Sequence, residues 1–282
     1  MIPAIKILPA DTHSIVSADY HLLLLLGHYN WHFALLNKQK NQLDALLGFT
    51  FERKLSAEAF REAWESVMQE YPFLDKYFSS VHIVYKYNEA ILLPGKEHTE
   101  PVDDLVMDTL FGENPAAVVK AEEVPAEDLA VIYRIHPAVY QLLQRYYVNA
   151  VHRHYYSMEL QALHKTGYEN SISVNFLGSS FVVTVRNNRK LQLIQAYTYQ
   201  TAEDVLYYLL TIAKEYDCNR EEIVLLAGGM VEEQSPLFTG LKKYFLNIEL
   251  AQKPGTLDCA AGFNEYPVHY FHPIFTIATC VS

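Results

Sequence analysis

The sequence predicts an α/β chain of two related units, each a mixed sheet crossed by a helix, and three observations carry that expectation. The stretch from Asn170 to Phe245 reads as three short strands, a helix, a fourth strand and a second helix. Much of the same pattern occurs earlier, between Leu22 and Glu70. A glycine pair, Gly228-Gly229, ends an apolar strand where the chain has to turn closely into a helix.

Within the later stretch, Ile172 to Phe176 and Phe181 to Val185 are apolar or alternating segments joined across Leu177-Gly178-Ser179-Ser180. The two serines read as turn residues, with no neighbouring base to make either a nucleophile. Arg186 to Lys190 supplies polar turn residues before a third strand, Leu191 to Tyr199. Thr201 followed by Asp204 is a helix start, and Val205, Leu206, Leu209, Leu210, Ile212 and Ala213 form its apolar stripe. Ile223 to Leu226 is the fourth strand, and Leu237, Leu241 and Phe245 lie at helical spacing beyond the glycines.

The earlier stretch has matching signals. Leu22 to Leu26 is an apolar run, Gly27-His28-Tyr29-Asn30 a turn, and Trp31 to Leu36 a return strand. Asn37 to Asn41 turns again before Leu43 to Phe51, and Ser56 to Glu70 reads as a helix burying Phe60, Trp64, Val67 and Met68. In both stretches a glycine follows the first strand, a polar loop the second and a helix the third, which implies two related subdomains.

The remaining elements are weaker. Met1 to Thr12, with Pro3 and Pro9, reads as a loop or edge, and His13 to Ala18 as a short strand. Strands are expected at Val81 to Tyr85 and Ala90 to Leu93, the latter ended by Pro94-Gly95. Val102 to Phe111 reads as a short helix whose apolar residues cover an edge. Asp128 to Ile135 is expected as a strand, and Pro137 opens a helix with Val139, Leu142, Leu143, Tyr146 and Tyr147 on its apolar face. Val148 to Leu163 reads as a strand with a helical tail or a continuation through a bend, and Lys165 to Asn170 as the boundary between subdomains. Ile248 to Leu250 is expected as a strand, Gly255 to Asn264 as a loop with a short helix, and Phe275 to Cys280 as a closing strand.

Composition narrows the function classes. A chain of 282 residues, 50% hydrophobic, suffices for two cores. Its 22 basic and 33 acidic residues leave a formal charge of -11, which offers no broad footprint for DNA or RNA. Cys218, Cys259 and Cys280 are too scattered for a disulfide scaffold or a four-ligand zinc site. No basic segment leads into a secretory apolar region, and Leu22 to Leu26 is too short to cross a bilayer, so a cytoplasmic protein without a membrane partner is expected.

The Gly27 hairpin, the Ile91-Leu92-Leu93-Pro94 segment, Ile132 to Pro137, the His154 region and Ile223 to Met230 together resemble an uncharacterised bacterial family found chiefly in Bacteroidetes. That resemblance covers nearly the whole chain. It implies an actin-like ATPase fold of two ribonuclease-H-like subdomains with mixed sheets facing a shared cleft, residues 1–165 and 166–282, with terminal elements able to cross the boundary. Leu226-Ala227-Gly228-Gly229 looks like the adenosine-side glycine turn of sugar kinases, heat-shock ATPases and actin relatives. Gly228 and Gly229 are therefore the candidate cofactor-binding residues, against the alternative of a compact turn. Glu232 and Glu233 bring negative charge and supply no phosphate clamp.

The same resemblance shows what this chain lacks. Active members of the broader class carry an acidic residue near the first hairpin glycine in each half, where carboxylates position metal-bound water around phosphates. Here Leu25-Leu26 precedes Gly27 and Phe176-Leu177 precedes Gly178, and apolar side chains cannot organise magnesium. Asp19 reaches the first hairpin only if the strand register differs from the one read here.

Two histidine groups and a tyrosine run complete the candidates. His152 and His154 share one side of a strand, with Glu159 and His164 farther along, and His269 and His272 flank Tyr270-Phe271, but no complete metal motif surrounds either pair. Tyr140, Tyr146, Tyr147, Tyr155 and Tyr156 read as core residues or as an aromatic surface for a protein partner, with Tyr146 and Tyr147 at its centre and Arg145 and Arg153 as a polar rim. Basic residues are not interleaved as nucleic-acid stacking requires. The expectation is a cytoplasmic, noncatalytic binding or scaffold protein with a degenerate nucleotide cleft and no confident cofactor. A conformational switch binding ATP or ADP weakly is the alternative, and an ATPase or kinase stands behind it.

Overall fold

The computed structural model describes residues 2–164 and 167–281. In chain order the elements begin with β1 (Ile5–Ile7), β2 (Tyr20–Leu26), β3 (Asn30–Asn37), β4 (Gln42–Thr50), α1 (Ala57–Glu70), β5 (Ser80–Tyr85), β6 (Ala90–Pro94) and α2 (Glu100–Phe111). They continue with β7 (Val118–Val124), β8 (Leu129–Ile135), α3 (Pro137–Tyr146), β9 (Val151–His154), α4 (Tyr155–Leu163), β10 (Ser171–Phe176), β11 (Ser180–Asn187) and β12 (Lys190–Thr198). The last are α5 (Ala202–Glu215), β13 (Val224–Gly229), α6 (Pro236–Tyr244), β14 (Asn247–Leu250), β15 (Asp258–Cys259) and α7 (His272–Val281). The chain forms two compact units, one of Met1–His164, Gly255–Phe263 and Thr276–Ser282, the other of Lys165–Pro254 and Asn264–Phe275. The boundary expected between residues 165 and 166 falls on Lys165 and Thr166, outside the described residues.

In the first unit the main sheet runs β1-β4-β3-β2-β5-β9, and β15 pairs with β4 beyond β1. The first three strands of the meander are antiparallel, β2 pairs parallel with β5, and β5 parallel with β9. Leu22 to Leu26 are all shielded from solvent, as a strand covered on both faces requires. Ser56 caps α1 by accepting from the Ala59 amide, and Phe60, Trp64 and Val67 on the helix bury against the sheet. Trp31, Trp64, Phe33 and Phe60 meet at centroid separations of 4.4 to 6.5 Å, edge-on, tilted or stacked. A second sheet, β6-β8-β7, is wholly antiparallel and packs Ala130 and Ile132 under Met107 of α2.

The second unit repeats the main sheet's connectivity as β12-β11-β10-β13-β14, antiparallel through the first three strands and parallel beyond. The correspondence extends to detail. Each third strand carries a bulge two residues inside its turn, at Asp44 between the Leu36↔Leu43 and Leu35↔Ala45 pairs and at Gln192 between Arg186↔Leu191 and Val185↔Leu193. The β11–β12 turn is tight, with Asn188 and Arg189 both at positive φ, 52° and 63°, as a two-residue hairpin loop demands. Thr201 and Asp204 exchange a full capping box at the start of α5. Ile172, Val174 and Phe176 pack with Leu209, Leu225 and Leu241 in this unit's core.

Three expectations need correction, and one strand, β7, had no expectation. His13 to Ala18 is turn and a short 3-10 segment at Ser17–Asp19, because Asp11 accepts from the His13 amide and Ser14 donates back to the Asp11 carbonyl. Phe275 to Cys280 belongs to the helix α7, a short apolar run whose period distinguishes poorly between helix and strand. β7 went unread because Lys120, Glu122 and Glu123 interrupt its apolar residues. The apolar residues of α2 do not cover an edge: Leu105 and Leu110 are exposed, and the helix buries Asp103 and Met107 instead.

If the capping box fixes the start of α5, Thr201→Ala should lower the unfolding free energy by about 1 kcal/mol in urea titration. An unchanged midpoint would show that α5 is held by its packing alone.

Candidate functional site

The carboxyl ends of β2 and β5 lie side by side because the two strands are parallel neighbours, with Leu26 opposite Tyr85. The β2–β3 loop is Gly27-His28-Tyr29-Asn30, closed by the Gly27 amide donating to the Asn30 carbonyl at 2.9 Å. Its counterpart in the second unit is Leu177-Gly178-Ser179-Ser180, closed by Leu177 donating to Ser180 at 2.8 Å. The first residue of each loop is thus Gly27 in one unit and Leu177 in the other. Gly178 takes the second position, where its φ of +78° needs glycine. The sequence-based equivalence of Gly27 and Gly178 is off by one place.

What lies over the two loops differs. The Lys86 amide donates to the Leu26 carbonyl at 2.9 Å, just as Met230 donates to Phe176 at 2.9 Å, so these residues are counterparts. The Lys86 side chain folds back across the first loop. A Cβ built on Gly27 would stand 2.9 Å from Lys86 Cε, and Nζ donates to Asn30 Oδ1 at 2.8 Å. Burial lowers the Lys86 pKa to about 7. Beside it His28 stacks on Tyr87 at 4.5 Å, its pKa lowered to about 4 by burial, then by the charges of Lys54 and Lys86. Over the second loop the Tyr199 hydroxyl donates to the Gly178 carbonyl at 2.7 Å, and Tyr199 is the counterpart of Phe51.

The glycine pair ends β13, with Gly228 opposite Asn175 and Gly229 opposite Phe176. Both glycines are buried. A Cβ on Gly229 would lie 2.0 Å from the Phe176 carbonyl oxygen, and one on Gly228 would lie 2.6 Å from Asn175 Oδ1 and 2.7 Å from His272 Cδ2. Close backbone and side-chain approach therefore accounts for both glycines, and His272, neutral because burial lowers its pKa to about 4, lies against Gly228. Asp19 sits on the turn before β2, at the far end of that seven-residue strand from Gly27, roughly 26 Å away at the usual rise per residue. Neither loop contains an acid, so these residues do not fit a magnesium-bound triphosphate.

The histidines are engaged one by one. His152 Nδ1 lies 2.8 Å from the Tyr85 hydroxyl, and burial lowers its pKa to about 4. His154 Nε2 meets the Tyr87 carbonyl at 3.0 Å while Nδ1 accepts from the Tyr156 amide at 3.2 Å. His164 bonds Glu127 at 2.8 Å, Glu159 accepts from Tyr155, and His269 Nε2 meets the Val231 carbonyl at 2.7 Å. Among the described residues no three His, Cys, Asp or Glu side chains converge as a metal site. The sequence reading missed Glu122, whose carboxylate accepts from the His154 amide and the Ser157 hydroxyl at the start of α4. Burial raises its pKa to about 7.

Of the tyrosine group, Tyr147, Tyr155 and Tyr156 are buried. Tyr147 packs edge-on to Trp64 and donates to the Leu74 carbonyl at 2.9 Å, which makes it a core residue. Tyr140 and Tyr146 are half-buried.

A model of the family described as "Protein of unknown function (DUF3822)" matches residues 10–248. Comparison with curated proteins finds no match. Among solved structures, the chain is similar to a protein of Bacteroides thetaiotaomicron VPI-5482 described as having an actin-like ATPase fold and unknown function. The two share 18% identity at a TM-score of 0.78, covering 94% of this chain and 97% of that one. It is also similar to a chain of the PilM-PilN type IV pilus biogenesis complex, at 14% identity and a TM-score of 0.60 over 94% of this chain and 97% of that one. These likenesses show that the fold is actin-like. No helix among the described residues is long and apolar enough to cross a membrane.

Two outcomes follow from the packing. Tyr147→Ala should cost about 3–5 kcal/mol of stability and Tyr146→Ala about 1 kcal/mol; equal losses in urea titration would contradict the burial difference. For Lys86, burial puts the folded pKa at about 7, below the ordinary value of 10.5, so between those values the unfolded chain holds a proton that the folded chain does not. Its contribution to stability should rise with pH across that window, by up to about 1.4 kcal/mol per unit. Lys86→Met removes the contribution, so the variant should gain on the wild type at pH 7.5 relative to pH 9; a difference constant between the two would contradict a buried, depressed lysine.

Proposed function

We propose a function for this chain, which belongs to the family described as "Protein of unknown function (DUF3822)", from what fills its hairpins. It is a noncatalytic binding or scaffold protein of the cytoplasm, with a degenerate nucleotide cleft and a protein partner. The observation that carries this reading is Lys86. Its stem crosses Gly27 and its amine bonds Asn30 beside a loop with no acid, so the space over the hairpin is taken by the protein's own side chain. A magnesium ion placed there would find no carboxylate to hold its water. Tyr199 on the Gly178 carbonyl and His272 against Gly228 support the same reading in the second unit. The charge of -11 supports a protein partner over nucleic acid.

The retained glycine pair at the carboxyl end of β13 favours one alternative, in which ATP or ADP binds weakly as a conformational signal. Titration calorimetry with ATP and ADP, each with magnesium, separates the readings. No saturable heat and no phosphate release above a protein-free blank are expected. Saturable heat without turnover would favour the nucleotide-responsive switch. Steady phosphate release that changes with Lys86→Met or Asn30→Ala would make the protein an enzyme and overturn the proposal.

A further inference from the structure

A carboxyl group ties the second sheet of the first unit to its main sheet. Glu122 lies on β7, in the sheet β6-β8-β7, and reaches the junction where β9 of the main sheet passes into α4. The His154 amide donates to its Oε1 at 2.5 Å, and Ser157 Oγ lies 2.6 Å from its Oε2. The same Ser157 Oγ lies 2.8 Å from the His154 carbonyl. Ser157 is 0% exposed, so its hydroxyl has to be satisfied by these neighbours.

Counting hydrogens decides the state of the acid. A serine hydroxyl carries one proton. With Glu122 ionised, that proton faces two acceptors, the carboxylate at 2.6 Å and the carbonyl at 2.8 Å, and one of the two short oxygen–oxygen contacts is left without a hydrogen of its own. With a proton on Oε2, the carboxyl group donates to Ser157 Oγ, Ser157 donates to the His154 carbonyl, and the His154 amide still donates to Oε1. Each contact then holds one hydrogen. Burial works in the same direction and raises the carboxyl pKa to about 7, outweighing the Ser157 and His154 hydrogen bonds, the charge of Arg153 on β9 and the hydroxyl of Tyr133 on β8, which favour the ionised form. Of the other ionisable neighbours, His154 is kept neutral by burial, with a pKa of about 4, and Lys120, two residues earlier on β7, lies over the Tyr140 ring at 5.0 Å.

We propose that Glu122 is a proton-dependent latch: protonated, it fastens the second sheet to the start of α4, and on ionisation it loosens that attachment. The sign follows from linkage. The folded pKa of about 7 lies above the ordinary value of 4.5, so between those values the latched form holds a proton that the opened form does not. The latch is therefore fully engaged at the acid end of that window and weakens as pH rises through it, by up to about 10-fold in the opening equilibrium per pH unit. Beyond the window both forms are ionised and no further change is expected. The sheet held in this way also carries α2, through Met107 on Ala130 and Ile132, so loss of the proton bears on a surface element far along the chain from the hairpins. The inference goes beyond the binding role proposed above and does not depend on it.

The test compares the full chain with Glu122→Gln, whose side-chain amide donates to Ser157 Oγ and accepts from the His154 amide as the protonated acid does, but cannot ionise. Hydrogen exchange of the His154 amide is measured in both proteins across the window, and their ratio at each pH cancels the intrinsic dependence of exchange on pH. Relative to the variant, the wild type should lose protection by at least about 10-fold between about pH 5 and about pH 7. The same result is expected whether the amide exchanges by local opening or by global unfolding, because Glu122 is solvated in both. A ratio constant with pH would overturn the proposal, as would a variant less protected than the wild type at about pH 7, the result expected if the tie were an ionised carboxylate. Infrared spectra give a readout that needs no opening: the difference between wild type and Glu122→Gln at about pH 6 should contain the carbonyl stretch of a protonated carboxylic acid, and carboxylate bands alone would overturn the proposal. Ser157→Ala removes the acceptor of the acid proton and should move the loss of that band to lower pH. A move to higher pH would mean that the serine donates to a carboxylate, and the latch would be wrong.

Discussion

A strand covered on both faces and paired on both edges sets the terms for the first unit. Leu22 to Leu26 can be fully dry only because β3 and β5 between them satisfy every backbone donor and acceptor of β2. Parallel pairing of β2 with β5 in turn needs a long connection between them, which α1 supplies while closing one face of the sheet with Phe60, Trp64 and Val67. The geometry at the strand ends then has little freedom. Leu26 and Tyr85 finish level, so the residue after each, Gly27 and Lys86, must meet. A lysine at that position has one short route, across the glycine.

Such repetition was legible because its signals are local. Turn residues such as Asn188 and Arg189, the Thr201–Asp204 cap and the apolar stripes of α1 and α5 each report on a few neighbours, and all survive in the structure. Register was less legible: a glycine near the end of a strand marks a turn without saying which turn position it occupies, hence the displaced equivalence of Gly27 and Gly178. Long-range facts were not legible at all. Lys86 lies just past an expected strand, and only pairing of β2 with β5, whose Leu26 and Tyr85 are 59 positions apart in sequence, brings it over Gly27. Tyr147 and Tyr146 are sequence neighbours and both meet Trp64 edge-on, yet the end of α3 buries one with its hydroxyl on the Leu74 carbonyl and leaves the other half-exposed.

Burial of ionisable groups in the first unit follows one rule. Imidazoles are tolerated because they can be neutral near pH 7 and still use both nitrogens, as His154 does between the Tyr87 carbonyl and the Tyr156 amide. Lysine and glutamate have no such state at their ordinary pKa values. Lys86 moves down to about 7 and Glu122 up to about 7, each toward its neutral form, with desolvation as the largest cause in both. The two remain useful where they are because each bonds a chain end that would otherwise need another partner: Asn30 at the close of a hairpin, and the His154 amide and Ser157 hydroxyl at the start of α4.

That rule makes α2 the exception. Around the hairpins the chain brings its own side chains onto the groups a ligand might have used, at the cost of shifted ionisation. On α2 it does the reverse: a carboxylate, Asp103, takes a buried place while leucines with the spacing for that place face solvent. Burying a leucine contributes about 1.5–3 kcal/mol, so the arrangement leaves a substantial stabilisation unrealised in the isolated chain. Arg134, bonded to Asp108 and to the Gly112 carbonyl, holds the helix in that orientation.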